Sequence, residues 1–314
     1  MSDEITAFAP ASIGNVAVGF DMLGLALEGA GDRVVARKTD SAAITIAEVR
    51  GLDGELHPYL STNPKENTAS IAAQALWDDH GGDFGIELKV LKGVPLQSGM
   101  GSSAASAVAA VVAANALLET PLAIEALLPY ALAGEQYASG GLHADNVAPS
   151  LLGGLILCPQ VLLPDVIHLP VPNGVSAVLL HPDLRVNTAH ARRGLAKGYS
   201  MRQWLDQQGL LAGFIAACVA SDIDLIRKTL RDVIIEPQRA AAVPCFQAVK
   251  DAAIRAGALG CSLSGSGPSM FALCASSDAR NIASAMERAC RSQGIGCESW
   301  VSAMAAPGAF VESG

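Results

Sequence analysis

The chain lacks any excess of basic residues: 21 Lys and Arg stand against 30 Asp and Glu, a formal charge of −9 over 314 residues. That balance excludes binding along a nucleic-acid backbone, which needs clustered cations, and leaves any anionic ligand to be met locally. Paired cysteines are missing as well. The seven cysteines, at 158, 218, 245, 261, 274, 290 and 297, form an odd set without CxxC spacing, and no HExxH or Cys/His grouping completes a metal site. They read as buried reduced thiols. No apolar run reaches the ~18 to 20 residues that span a bilayer. The longest, 104–118, contains Ser106 and Asn115. The opening MSDEITAFAP has neither the basic nor the apolar region of a signal peptide, so a cytoplasmic location is expected. Nucleophilic serine chemistry finds no G-x-S-x-G elbow and no suitable S-x-x-K pair.

What the chain does have is apolar bulk. Hydrophobic residues make up 51% and charged residues 16%, which supports a substantial interior and argues against disorder. At 314 residues it exceeds the usual single core, so two domains, or one large α/β unit, are expected. Apolar and β-forming residues with turn signals at their ends predict strands over 34–49, 85–91, 151–163, 175–180 and 297–303. Helical spacing predicts helices over 67–80, 104–118, 124–137, 201–207, 210–221, 224–232, 244–256 and 279–293. Glycines and prolines from 153 onward place the domain change near 155/156, giving units 1–155 and 156–314.

The most informative stretch is PLQSGMGSSAAS, residues Pro95 to Ser106. Gly99 and Gly101 let backbone approach a ligand where a β-carbon would clash, and Ser102 and Ser103 suit the cap of the following helix. The unpaired amides and partial positive charge of a helix N-terminus can hold a polyphosphate without a lysine in the loop. A Walker-type loop is excluded, because Ser102 and Ser103, not lysine, follow Gly101. A dinucleotide fingerprint fits Gly99, Gly101 and Ala104, with Glu119 20 residues after Gly99. There the acidic residue would end a second parallel strand, whereas Glu119 is expected to end a helix, before Thr120-Pro121. The plain alternative is a capped core helix with turn glycines.

A nucleotide triphosphate brings magnesium, which takes one or two protein oxygens beside phosphate and water. Ser103 at the helix mouth and Glu135 on the 124–137 helix offer them. The segment 139–149 carries His143, Asp145 and Asn146 in what reads as a polar functional loop. Arg192 and Arg239 follow apolar stretches, and arginine can grip a carboxylate or phosphate with two parallel hydrogen bonds. Each is equally at home as a surface cation, as Glu135 is as a helix-end acid. Near the start, APASIGNVAVGFDMLGLAL combines Asn15 and Asp21 with glycines at 14, 19 and 24.

Taken in order, APASIGNVAVGFDMLGLAL, PLQSGMGSSAAS and GCSLSGSGPSMFAL resemble the signatures of the GHMP kinase superfamily. N-x-x-x-G-F-D-x-L-G with HADNVAP, PKENTAS, NTAHAR and EPQR resembles its branch acting on L-homoserine; Ser12 stands where the mevalonate branch carries lysine. The resemblance implies an α+β, GHMP kinase-like two-domain fold. Its N-terminal domain would be like ribosomal protein S5 domain 2, its C-terminal domain ferredoxin-like, with the site between them. It implies transfer of the γ-phosphoryl group of ATP, with Mg2+, to the side-chain hydroxyl of L-homoserine, giving O-phospho-L-homoserine in threonine biosynthesis. Expected partners are L-homoserine and ATP, with neither nucleic acid nor membrane, and a homodimer is the expected assembly.

Carried over by position, the nucleotide would meet Asn67 near the adenine. Pro95, Leu96, Gln97, Ser98, Gly99, Met100, Gly101, Ser102, Ser103, Ala104 and Ala105 would wrap the phosphates. Ser103 and Glu135 would hold the metal. Arg192 and Arg239 would bind the substrate carboxylate, with Asn15, Asp21, His143 and Asp145 around the ammonium and hydroxyl. Asn15, Asp145, Ser103 and Glu135 are the expected catalytic set. Asp145 is assigned first to binding, since a loose transition state needs alignment and charge stabilisation more than a strong base. Two other readings stay open: another small-alcohol kinase of the superfamily, and a non-catalytic sensor on the same fold.

Overall fold

The computed structural model describes residues 3–312. Its first layer system comprises β1 (Glu4–Gly14), β2 (Leu23–Thr39), β3 (Ile44–Arg50), α1 (Thr68–His80), β4 (Gly85–Leu91), α2 (Ser102–Asn115), α3 (Leu128–Ser139), α4 (Ala144–Leu152), β5 (Leu155–Leu157) and β6 (Ile167–Leu169). The second follows with β7 (Val175–Pro182), α5 (Thr188–Arg193), α6 (Met201–Ala220), α7 (Ile223–Thr229), α8 (Glu236–Arg239), α9 (Phe246–Arg255), β8 (Gly260–Leu263), β9 (Met270–Ala275), α10 (Ala279–Ser292), β10 (Cys297–Ala303) and β11 (Phe310–Val311).

One sheet runs β11-β1-β2-β4-β3, with β5 on β2 and β6 on β5; the other runs β10-β7-β9-β8. Each sheet is antiparallel except where β3 meets β4, joined through α1 in a parallel β-α-β unit. In α2, SSAASAVAAVVAAN, alanine predominates and nearly every residue is buried, so it lies at the centre of the first core between β1, β2, α1 and α3. Small side chains on every face allow that close approach; an amphipathic helix could not sit there. In the second sheet β7 is buried on both faces. Val178 and Leu180 meet Phe246, Val249, Ile282 and Met286 beneath α9 and α10, while Ala177 and Leu179 meet Leu23, Leu25 and Leu27 of β2 and Phe214 of α6. Period-2 alternation thus sends one strand's side chains into two cores.

Several element boundaries differ from the sequence reading. The strand expected over 34–49 is two, because the polar turn around Asp40 and Ser41 ends β2 and Ser41 caps the entry to β3 through Ala43 N. The helices expected at 201–207 and 210–221 are one, α6, which runs straight through Gly209, and Ser200 with Gln203 forms a capping box at its start. The polar loop expected at 139–149 is largely helix, as Ala144, Val147, Ala148 and Leu151 pack inward from α4. That helix also takes Leu151 and Leu152 from the expected strand, leaving β5. Glu119 lies beyond the last residue of α2, Asn115. The first sheet extends past the expected boundary at 155/156, since β5 pairs with β2 and β6 with β5, and β11 returns to β1 from the C-terminal end. Among the described residues no helix is long and apolar enough to cross a membrane.

Candidate active site

The phosphate-loop candidate ends at Gly101, the N-cap of α2, which adopts φ 70° and provides no side-chain cap. Ser102 and Ser103 therefore do not cap the helix as expected. They occupy its first turn, where Ser102 Oγ donates to Val94 O at 2.9 Å and Ser103 Oγ donates to Glu135 Oε2 of α3 at 2.6 Å. Leaving the first turn without a capping oxygen keeps its amides for a ligand. Gly99, at φ 77°, packs where a β-carbon would strike Ser264 O and lie 2.8 Å from Gly267 O. Glycine is required there because the second glycine-serine loop presses against the first: Ser264 Oγ donates to Gly99 O at 2.6 Å, and Ser269 N donates to Ser98 O at 3.0 Å.

A cavity of about 400 Å³ opens between these loops. Leu96, Gln97, Ser98, Gly99, Gly101, Ser102 and Ser103 line it, as does Asn67. Pro95, Met100, Ala104 and Ala105 do not line it, and the last three bury their side chains in the cores. Asn67 caps α1, its side chain accepting from Ala69 N at 3.0 Å and donating to Ser61 O at 2.9 Å. Glu135 also faces the cavity.

Asn15, Asp21, His143, Asp145, Arg192 and Arg239 line the cavity too, and ligand atoms of Asp21, His143 and Asp145 lie within 4.8 Å of one another. Arg192 grips Asp21 with Nη1 to Oδ2 at 2.9 Å and Nη2 to Oδ1 at 2.6 Å, and His143 Nδ1 lies 3.2 Å from Arg192 Nη2. Burial alone raises the Asp21 carboxyl, but hydrogen bonds from His143 and Arg192 and their charges outweigh it and hold it down at about 2. Asp145 goes the other way: burial, then the neighbouring Asp21 charge, push it up to about 7. Arg239 is buried, donates through Nη1 to Gly265 O at 2.8 Å, and meets no carboxylate at ion-pair distance among the described residues. Burial and then the nearby charge of Arg192 push it below its usual range. A buried guanidinium without a counter-charge calls for an anion.

Asn15 lines the cavity and also braces it. Its Nδ2 donates to Gly265 O at 2.9 Å and its Oδ1 accepts from Asp21 N at 3.0 Å, while its own N–H donates to Asp145 Oδ2 at 3.2 Å. The amide is committed to holding the walls. The turn it anchors is strained, with positive φ at Asn15, Val16, Ala17 and Asp21, and such backbone persists only where surrounding contacts over-determine it. Several residues in and around the cavity went unassigned in the sequence. The Phe20 ring packs against the guanidiniums of both Arg192 and Arg239, 5.3 and 5.1 Å from its centroid, and Thr188 Oγ1 lies 3.1 Å from Ser266 Oγ, linking α5 to the second loop. Phe20 stands between Gly19 and Asp21 in a motif already singled out, which was the available signal.

Fold and site together define a small-molecule kinase of a recognisable kind. Residues 67–154 match the N terminal domain of GHMP kinases and residues 214–292 their C terminal domain, and the chain belongs to that family. A homoserine kinase of Xylella fastidiosa is 43% identical over 98% of this chain and 93% of its own length. The crystal structure of homoserine kinase from Cytophaga hutchinsonii matches with a TM-score of 0.94 at 42% identity, over 99% of this chain and 98% of that one. Within the GHMP kinases the chain therefore falls among the homoserine kinases. The structure of L. major mevalonate kinase in complex with R-mevalonate, covering 98% of this chain and 97% of that one, shares the fold alone, at a TM-score of 0.70 and 16% identity.

Proposed function

We infer that this chain transfers the γ-phosphoryl group of ATP to the side-chain hydroxyl of L-homoserine, giving O-phospho-L-homoserine and ADP, a step towards threonine. The observation that carries the reading is one cavity lined by two unlike groups: main-chain amides and glycines at the mouth of α2, and a cluster of two arginines with two aspartates. The first suits a polyphosphate, the second a zwitterion whose charges must be fixed at separate points. Arg239, which has no carboxylate at ion-pair distance among the described residues, and Arg192 take the substrate carboxylate. Asp21 and Asp145 take its ammonium, which favours the ionised form of Asp145. Asn15 holds the walls around both, and His143 orients Arg192. Ser103 and Glu135, all-oxygen donors side by side at the helix mouth, fit a magnesium ion, which when bound neutralises charge on the β- and γ-phosphates.

ADP release should depend on L-homoserine and not on mevalonate or shikimate. Turnover with mevalonate alone would overturn the assignment, and nucleotide binding without turnover on any alcohol would favour a sensor. Arg192→Ala should raise the homoserine KM about 10- to 100-fold, the loss of a charged hydrogen-bond pair, and leave the ATP KM near its original value. An ATP KM that rises instead would place this arginine with the nucleotide.

A further inference from the structure

The two guanidiniums of the cavity are unequally matched. Among the described residues Arg192 has a carboxylate at ion-pair distance, that of Asp21, whereas Arg239 is buried and donates through Nη1 to a neutral carbonyl, Gly265 O, at 2.8 Å. Burial and then the like charge of Arg192 push Arg239 below its usual range. In both side chains the Nε atom is buried and has no hydrogen-bond partner among the described residues. What both cations meet is the ring of Phe20, whose centroid lies 5.3 Å from the guanidinium carbon of Arg192 and 5.1 Å from that of Arg239. Both distances fall within the ~6 Å over which the negative face of an aromatic ring attracts a cation. The ring starts from a fixed backbone. Phe20 sits in the strained turn, where Gly19 N donates to Asn15 O at 2.9 Å, Asp21 N to Asn15 Oδ1 at 3.0 Å and Met22 N to Gly19 O at 2.8 Å, so the chain is held on both sides of it.

We propose that Phe20 is a positioning residue for the substrate: its ring holds the two guanidiniums side by side, without using their N–H groups, ready to receive a carboxylate. This rests on the kinase reading. Two like charges in a partly buried space repel, and the ordinary remedy, a second carboxylate from the protein, would occupy the donors that the substrate needs. An aromatic face works differently. It attracts the cations through its quadrupole, carries no net charge and accepts no strong hydrogen bond, so it steadies them without neutralising them. The uncancelled positive charge is left for an arriving anion, and the burial of Arg239 strengthens that attraction. A leucine at position 20 would fill much of the same space and supply none of the pull on the cations.

The test uses the full chain with MgATP and L-homoserine under steady-state conditions. Phe20→Leu should raise the homoserine KM about tenfold, the scale of two cation–ring attractions, with kcat within about threefold and the ATP KM unchanged. Phe20→Tyr keeps the ring face and should hold the homoserine KM within about threefold of the native value. A trifluorinated phenylalanine placed at position 20 keeps the ring and its shape but withdraws charge from its face. It should raise the homoserine KM about as far as Phe20→Leu does, with an unchanged melting temperature, and it decides the matter if Phe20→Leu fails to fold. A homoserine KM unmoved in Phe20→Leu would overturn the proposal, as would a trifluorinated ring that serves homoserine as well as the native one, since the ring would then act as packing alone. An ATP KM that rises together with that for homoserine would do the same. An unaltered chain inactive on L-homoserine sinks the kinase reading and this proposal with it, whereas an active chain indifferent to position 20 sinks the proposal alone.

Discussion

Two aspartates a few ångströms apart show how far surroundings outrank residue type. Asp21, hydrogen-bonded by His143 and Arg192, is held down at about 2, and Asp145, buried beside that charge, is raised to about 7. Because the folded value of Asp145 lies above its unfolded value of 3.8, it contributes stability that is fully present below about pH 4 and lost as the pH rises through about 7. Asp145→Asn removes that loss. Thermal melts of the variant and native chain should coincide near pH 4 and diverge towards pH 8, with the variant more stable by on the order of 3 kcal/mol. A difference that does not change with pH would refute the assignment of the raised value. The same variant should bind homoserine poorly, since it loses an anion for the ammonium. The sequence reading found both residues but not their opposite shifts. His143, Asp145, Arg192 and Arg239 were legible as chemistry, the two arginines with a plain surface reading beside it.

At the scale of the element, the N-terminus of α2 is anchored from behind by a buried ionic network. Lys92, just past β4, pairs with Asp32 of β2 and donates to Ser102 O and Ser106 Oγ, each at 2.8 Å. Asp32 also accepts from Gly93 N at 2.8 Å, Val94 N at 3.0 Å and Ser106 Oγ at 2.6 Å. Both side chains are nearly inaccessible, so removing one leaves the other as an uncompensated buried charge. Lys92→Met should cost about 3–5 kcal/mol in urea unfolding, and Asp32→Asn in the same chain should recover much of it. A Lys92→Met variant within about 1 kcal/mol of the native chain would show that the pair does not support the helix. The helix itself was evident from its alanine-rich run, but its cap was not. Serines are good caps in general; here Gly101 in the left-handed region ends the turn, and both serine hydroxyls point to Val94 and Glu135 instead.

For the molecule as a whole, two sheets share one interior. Leu23, Leu25 and Leu27 of β2 pack with Ala177 and Leu179 of β7 and with Phe271 and Leu273 of β9, so the two halves bury one another's apolar faces. Neither half can open without exposing that surface. Calorimetry should therefore record one unfolding transition, moved upward by saturating L-homoserine and ATP analogue together. Two separated transitions would mean that the halves are independent. The junction also explains why the expected boundary at 155/156 does not match the sheets: β5 and β6 complete the first sheet after the chain has passed it, and β11 rejoins β1 from the far end of the sequence.

Some of this protein was present in the order of residues alone. Glycines and serines before an alanine-rich run specify a glycine turn that opens into a helix, because backbone conformation and helix amides are local properties. Apolar periodicity likewise marked most helices and strands, though not where α6 continues through Gly209 or where β2 ends. What only the tertiary structure decided is which distant groups meet: Arg192 and Asp21 are 171 residues apart, and Ser12 and Asn146 are 134 apart. Burial, charge and the aim of an amide depend on neighbours in space, and a linear order of residues contains no distances between them.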